Sequence, residues 1–235
     1  MTERNVNTFT KEMRIATRQV HNLSDKLINA KLAFALHNND VWAEGLLVFY
    51  EIFKFLENHV SYDLLPKEFR RTEAFEQDLD FFLGPKWQVN YKPRKEVQKY
   101  IDHLISITQK NPVLLVAYIF HLYLGLLSGG QILQKKRQLV QKVFPKPDGD
   151  KGTAVTTYDV KISDLKTQLK EIVENLSKTW DEKTKNDVIC ESKLVFELNN
   201  MVVRSIKTNN QSYKLIGYIL LFIFTILLFF VMWNL

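Results

Sequence analysis

One histidine, His21, has neighbours that suit it for binding a metal ion. In a helix, Arg14, Arg18, His21 and Asp25 lie on one face, because their spacings of 4, 3 and 4 residues follow the helical repeat. Two nearby guanidinium groups disfavour protonation of the imidazole, and neutral imidazole is the form that binds metals. Asp25 can accept a hydrogen bond from the other ring nitrogen and fix the orientation of the ring. The pattern indicates a metal ligand, although a solvated charged face has the same spacing.

A second candidate site is a glycine-rich stretch, YLGLLSGGQILQKK at 123–136, inside a strongly helical pattern. Gly125, Gly129 and Gly130 are three of only 8 glycines in the chain. Each costs about 1 kcal/mol relative to alanine within a helix, so either something approaches the backbone closely or the helix bends. Gly125 and Gly129 are one turn apart and leave a bare strip of backbone on which a flat ligand can lie. A tight crossing with another helix is the other interpretation.

A third pair of residues, Lys166 and Lys170, is one turn apart on a late helix and can either pair with two carboxylates or face solvent. The sequence has no serine-hydrolase elbow, zinc-protease helix, phosphate loop or dinucleotide fingerprint. A net charge of +6 suits acidic partners. Basic and aromatic residues do not alternate, however, so no nucleic-acid partner is expected.

The elements that must position these residues are predicted to be helices. Glycine and proline are scarce, at 8 and 6, and strand-rich folds usually need more of both for their turns. The first helix begins after Thr8 as its N-cap and carries an apolar stripe made of Phe9, Met13, Ala16, Val20, Leu23 and Leu27. Further helices are predicted at about 42–59, 68–82, 96–110, 162–177 and 185–206. Gly84-Pro85 ends the third helix.

The longest predicted helix contains the glycine-rich stretch. Asn111-Pro112 is a strong start signal, because asparagine caps helices and proline suits their first position, and the helix continues to about residue 143. The sequence KPDGDKG at 146–152 is the clearest loop. The one cysteine, Cys190, excludes a disulfide within the chain, fits a reducing compartment and is interpreted as a small core residue.

The C-terminal residues predict a membrane anchor. Residues 215–233 read LIGYILLFIFTILLFFVMW, without a charge, and nineteen helical residues span about 28 Å, close to the hydrocarbon thickness of a bilayer. Arg204, Lys207 and Lys214 precede this run, so its N-terminal flank is expected to stay in the cytosol. MTERNVNTFT, at the start of the chain, has no apolar run, and no signal peptide is expected. The predicted organisation is a helical domain at 1–204, a polar linker at 205–214 and an anchor at 215–233.

Several segments carry a resemblance to the heme oxygenase family. IATRQVH, which ends at His21, resembles the proximal helix of that family. EQDLDFFLGPKWQ at 76–88 is similar to its EQDL-x-x-x-x-GP-x-W stretch, and YLGLLSGGQIL at 123–133 to its signature YLGDLSGGQ. FELNN at 196–200 resembles the last helix of the family. The order and spacing agree over nearly all of residues 8–205, and a C-terminal membrane anchor is also typical of the family.

The resemblance implies a fold and a set of site residues. The fold is all-α, a heme oxygenase-like helical domain with heme between a proximal and a distal helix, followed by one C-terminal transmembrane helix. His21 is implied as the axial iron ligand. The implied heme-binding residues are Arg14, Arg18, Phe120, Gly125, Gly129, Gly130, Lys166, Lys170 and Phe196. The four basic residues among them correspond to positions near the heme propionates, and Gly125 and Gly129 press their backbone onto the heme edge.

The resemblance also implies a reaction with its cofactors, partners and location. Heme is opened oxidatively by dioxygen to biliverdin, carbon monoxide and iron, so that heme is both substrate and prosthetic group. The electrons come from NADPH through a flavoprotein reductase, and biliverdin reductase is a further candidate partner. The membrane anchor is expected in the endoplasmic reticulum, with the enzyme domain in the cytosol.

The chain departs from the family pattern on the distal helix. Gly125, Leu126 and Gly129 occupy the implied catalytic positions, and Leu126 replaces an aspartate whose carboxylate orders the waters that deliver protons during dioxygen reduction. Phe120 and Phe53 stand where the family has tyrosines, and Leu122 where it has an arginine. His121, one turn before Gly125, is a polar group that can partly substitute for them.

Three functions follow from this mixture of matches and departures. The first is a membrane-anchored heme oxygenase that is slow or of relaxed regiochemistry. The second is a non-catalytic heme-binding protein that buffers or senses heme. The third is a helical adaptor that has kept the fold and lost heme, and the presence of His21 argues against it.

Overall fold

Helix is the only regular secondary structure in residues 8–36, 38–143 and 151–207, which are the residues that the computed structural model describes. The α-helices are α1 (Phe9–Ala16), α2 (Arg18–Ala35), α3 (Asn39–His59), α4 (Thr72–Leu83), α5 (Trp87–Asn90), α6 (Lys95–Lys110), α7 (Leu115–Gly125), α8 (Gln131–Val143), α9 (Ile162–Ser177) and α10 (Glu182–Ser205). The predicted all-α class is confirmed. The predicted anchor at 215–233 and most of the predicted loop at 146–152 lie outside the described residues.

The central element of the domain is α7. Its residues from Leu115 to Phe120 are all buried, and it packs against α9 and α10. A helix that is apolar on every side belongs in a core. The stretch Pro112–Val143, which includes α7 and α8, has the length and hydropathy of a membrane-spanning helix, but half of its most apolar window is buried inside the domain.

The start of α1 is capped by a side chain from α9. Thr8 occupies the predicted N-cap position, but its hydroxyl makes no capping hydrogen bond. Instead, the Glu174 carboxylate accepts hydrogen bonds from the backbone N–H groups of Phe9 at 3.1 Å and Thr10 at 2.8 Å, which have no acceptor within their own helix. Burial raises the pKa of Glu174, but the hydrogen bonds outweigh burial and lower it. This contact fixes α1 against α9.

The first predicted helix is divided at Thr17, and its buried face differs from the predicted stripe. Phe9 and Met13 are buried as predicted, whereas Leu23 is 53% exposed, so the prediction is wrong at this position. The buried line passes instead through Thr17 and Ser24, whose hydroxyls donate to carbonyl oxygens four residues earlier. Because these hydroxyls are satisfied within their own helix, they can be buried, and the helix turns Leu23 outward.

Most of the other predicted helix boundaries agree with the structure within a few residues. α9 has the predicted bounds, and α4 ends at Gly84, whose φ of +86° suits glycine. α10 begins three residues earlier than predicted, because the carboxylate of Asp181 caps it by accepting from the N–H of Thr184 at 2.7 Å. The prediction that Cys190 is a core residue is wrong, since this side chain is exposed.

Candidate heme site

The predicted metal ligand lies on α2, which packs against α10. The side chain of His21 is 52% exposed, and its Nδ1 lies 3.1 Å from the Asp25 carboxylate. The predicted contact between these residues is therefore present. A carboxylate in contact with Nδ1 leaves Nε2 as the ring nitrogen that can face a metal, and carboxylates placed in this way orient ligating imidazoles in proteins.

One phenylalanine connects α2 to the distal side of the candidate site. The ring centroid of Phe196, on α10, lies 5.4 Å from that of His21 and 5.0 Å from that of His121 on α7. Phe196 is itself buried. The fold thus brings the proximal histidine, the distal helix and the last helix to one ring, as the predicted heme-binding role of Phe196 requires.

His121 on α7 is a half-buried histidine with one buried ring nitrogen. Its Nε2 atom is buried and has no hydrogen-bond partner among the described residues. Burial, and then the charge of His21, lower the pKa of His121 to about 3. The imidazole is therefore neutral at physiological pH and keeps one nitrogen that donates and one that accepts.

The three glycines of the distal helix face two different environments. A methyl group added at Gly125 or Gly129 would meet nothing within 4 Å, so the backbone is bare and open there. At Gly130, the same group would lie 2.9 Å from a side-chain carbon of Leu126 and 3.6 Å from one of Thr156. Gly125 and Gly129 fit the predicted ligand strip, whereas the atoms nearest Gly130 belong to Leu126 of the same turn and to Thr156, and not to a crossing α-helix.

The glycines coincide with a change of helix type. Residues Leu126–Gly130 form a π-helical turn between α7 and α8. The predicted long helix at 111–143 therefore exists, but it contains a local bulge of the kind that often marks functional sites.

Two buried tyrosines anchor α7 on either side of the site. The hydroxyl of Tyr123 donates to the Glu57 carboxylate of α3 at 2.8 Å, and that of Tyr118 donates to the Glu191 carboxylate of α10 at 2.5 Å. Burial, followed by the charge of Glu57, raises the pKa of Tyr123, which stays protonated. Neither anchor was predicted from the sequence, where the available signal was the presence of two tyrosines in an otherwise apolar run.

The residues that depart from the family pattern are built into apolar packing. Phe53 is buried, with its ring 4.9 Å from that of Tyr123 and 5.1 Å from that of Phe75. Leu122 and Phe120 are also buried, and the Phe120 ring meets the His121 ring edge-on at 5.1 Å. The predicted contact of Phe120 with heme stays a prediction.

The predicted propionate-binding residues lie on three helices. Arg14 and Arg18 are exposed, on α1 and α2, and Lys166 and Lys170 are partly buried on α9. α9 packs against α1, and Lys170 lines a cleft there together with Thr8 and Thr10. These cations are available to anionic groups, and their role toward propionates stays a prediction.

The side chains that could bind a metal indicate what kind of metal-containing group fits this site. No group of three histidine, cysteine or carboxylate side chains able to hold a metal ion occurs in the described ranges. A metal bound by His21 there needs further ligands that a macrocycle supplies. The open strip at Gly125 and Gly129 accepts a flat molecule, and the unpartnered imidazole of His121 lies beside it. These features define the class: a helical protein suited to a planar metal macrocycle, such as heme.

Comparison with known proteins gives the family. The model of the heme oxygenase family matches residues 7–205. This match covers most of the chain, and the chain belongs to the heme oxygenase family.

Individual relatives agree with this assignment. Heme oxygenase 1 of Gallus gallus is 35% identical over 144 residues, which are 60% of this chain and 47% of that protein. Heme oxygenase 2 of Synechocystis is 28% identical over 211 residues, covering 85% of this chain and 83% of that protein. The chain thus matches about half of the length of the Gallus gallus relative and most of the Synechocystis one.

Solved structures of heme oxygenases have the same fold. Heme oxygenase 2 from Chlamydomonas reinhardtii, solved without heme, has a TM-score of 0.78 at 27% identity and covers 87% of this chain and 100% of its own. Heme oxygenase-2 from Synechocystis, solved with heme and NO, has a TM-score of 0.75 at 25% identity and covers 85% of each chain.

Proposed function

We propose that this chain is a heme oxygenase, which uses dioxygen to open heme to biliverdin, carbon monoxide and iron. Its electrons come from NADPH through a flavoprotein reductase, and biliverdin reductase is a candidate partner for the product. The observation that carries the proposal is the position of His21 and His121 against one buried ring, Phe196, beside the open strip at Gly125.

Different residues of the chain would bind the iron, face the ring and orient it. Heme, when bound, supplies both the iron at which dioxygen is reduced and the ring carbon that is oxidised. His21 would hold the iron through Nε2, and the Asp25 carboxylate beside Nδ1 would keep the imidazole in one orientation. Gly125 and Gly129 would present bare backbone to the ring, with no side chain of their own in between. The cations Arg14, Arg18, Lys166 and Lys170 orient the ring by attracting its carboxylates.

A non-catalytic role in buffering or sensing heme is the second candidate, and specific residues favour it. Leu126, Phe53 and Leu122 place apolar side chains where proton delivery needs polar ones. General acid catalysis typically contributes about 10²–10⁴-fold, so the loss of a proton route can slow turnover greatly without weakening heme binding.

Product analysis separates the two functions. We expect the purified helical domain, loaded with heme and given NADPH and a flavoprotein reductase, to release carbon monoxide and form biliverdin at a low rate. The measurement is carbon monoxide capture by a reporter hemoprotein, with a heat-inactivated sample and a heme-only sample as controls. Stoichiometric heme binding without carbon monoxide release would establish the buffering or sensing role instead.

We further propose that the chain is a single-pass, tail-anchored protein of the endoplasmic reticulum membrane with its helical domain in the cytosol. The uncharged run at 215–233 and the basic residues before it support this location. The resemblance to membrane-anchored family members supports the choice of organelle.

Truncation tests the location. Deletion of all residues after Ser205 is expected to leave a soluble protein that still binds heme, because α10 ends at that residue. The measurement is fractionation of cells that express the full chain or the truncated chain, with heme absorption as the test of folding. A truncated protein that stays in the membrane fraction would place the anchor elsewhere.

A further inference from the structure

His121 is a polar group that the mechanism above leaves without a role. It lies one turn before Gly125 and two turns before Gly129, so it shares a face of the helix with the open strip. Its buried Nε2 has no partner among the described residues. A buried polar atom of this kind costs stability unless it acquires a partner, which indicates a partner from outside the protein.

Aromatic rings hold the imidazole in place. The His121 ring meets the edges of Phe120 and Phe196 at centroid distances of 5.1 Å and 5.0 Å. Phe196 also contacts the ring of His21, so the unpartnered imidazole and the proposed iron ligand lie on the same aromatic residue. His121 is thus positioned by packing, and its buried Nε2 has no hydrogen bond within the described residues that a ligand would have to replace.

Three residues of the distal helix next to His121 have no polar side-chain group. Gly125 and Gly129 have no side chains, and Leu126 is apolar and extends toward Gly130. A small polar ligand on this strip therefore finds His121 as a hydrogen-bonding side chain from α7. The neutral imidazole can donate from one nitrogen without a change in charge.

We propose that His121 donates a hydrogen bond to the diatomic ligand bound at heme. Leu126 cannot make this contact, because its side chain has no polar group. This inference rests on the proposed function, because it requires heme at His21. The hydrogen bond holds the ligand in one orientation over the ring and slows its escape. His121 would then compensate in part for the apolar character of the distal side.

Carbon monoxide and dioxygen are the probes for this contact. A hydrogen-bond donor beside bound carbon monoxide lowers its C–O stretching frequency, and one beside dioxygen slows its dissociation. In the reduced heme complex without a reductase, His121→Leu is expected to raise the stretching frequency and to speed dioxygen dissociation about tenfold, the effect of one ordinary hydrogen bond. His121→Asn keeps a donor and is expected to stay near the wild-type values. His59→Leu changes an exposed histidine that stacks on Phe55 and serves as the control.

The outcomes separate this inference from the proposed function. A wild-type protein that binds no heme overturns both. A wild-type protein that binds heme and carbon monoxide, with a His121→Leu variant of unchanged frequency and dissociation rate, overturns only the role of His121. If the leucine variant does not fold, His121→Phe keeps an aromatic ring between Phe120 and Phe196, removes the donor, and is judged by the same two measurements.

Discussion

Replacing His21 by alanine is expected to abolish the absorption spectrum of neutral-histidine-ligated heme. No other side chain in the described ranges combines an imidazole, an orienting carboxylate at 3.1 Å and contact with Phe196. The cavity left by the change admits free imidazole, which is expected to restore the spectrum when added to the variant. Ring opening should fall by more than the 10–100-fold that is typical of removing a group that only orients a metal ligand. The measurements are ferric and ferrous absorption spectra and carbon monoxide release.

Two variants calibrate this result. Asp25→Asn keeps the ligand and weakens its orientation, so a smaller loss, of about 10–100-fold, is expected. His59→Ala removes an exposed imidazole of α3 that stacks on Phe55, and should leave the heme spectrum unchanged. An unaltered spectrum in a folded His21→Ala protein would contradict the assignment of the iron ligand.

Features confined to one stretch of chain could be predicted from the sequence. His21 and Asp25 are four residues apart on one helix, so helix geometry alone brings them together. The bounds of α9 and the stop at Gly84 also follow from local signals, namely apolar periodicity and the Gly-Pro pair. These predictions required no knowledge of how the helices pack.

Features that depend on contacts between distant segments could not be predicted. The cap on α1 comes from Glu174, 164 residues beyond Thr10, and Tyr123 is anchored by Glu57, 66 residues earlier. The outward position of Leu23 likewise results from burial of small hydroxyl residues that an apolar periodicity ignores. Packing between helices decides such contacts, and the sequence shows only that polar residues lie in apolar surroundings.

The distal glycines combine, in one segment, a feature that could be predicted from the sequence and a feature that could not. Glycines in a helical pattern indicated either a close approach to the backbone or a bend of the helix. The structure has open backbone at Gly125 and Gly129, a close contact at Gly130, and a π-helical turn at Leu126–Gly130. Sequence alone could not show which glycine has which role, because the role of Gly125 or Gly130 depends on the residues that pack around it. Leu126 beside Gly130 supplies that information.

The largest gain in activity is expected from Leu126→Asp. Leu126 is partly buried and fills the space over Gly130, so it holds no water on the distal strip. Aspartate is shorter and leaves room there, and its carboxylate can order a water molecule that delivers protons. A restored proton route is expected to raise ring opening by about 10²-fold, at the lower end of what general acid catalysis contributes. Heme affinity should stay nearly unchanged, since His21 and the cations are untouched.

Two matched variants isolate the carboxylate from the change in shape. Leu126→Ala makes similar room without a polar group, and Leu126→Asn adds a polar group of the same size as aspartate that does not ionise. Only the aspartate variant is expected to open heme faster in carbon monoxide release assays. Thermal unfolding monitors the cost of placing a carboxyl in a partly buried position, where desolvation disfavours its charged form.

A folded, heme-binding Leu126→Asp protein that opens heme no faster would show that the carboxylate is not the missing group. Protons would then arrive by another route, and the unpartnered His121 is the first place to look. The double variant Leu126→Asp with His121→Leu distinguishes the two. If His121 supplies the working contact, the double variant loses the activity that the aspartate left unchanged. If the aspartate takes over proton delivery, the double variant keeps most of the gain, because the two groups serve the same ligand from neighbouring turns.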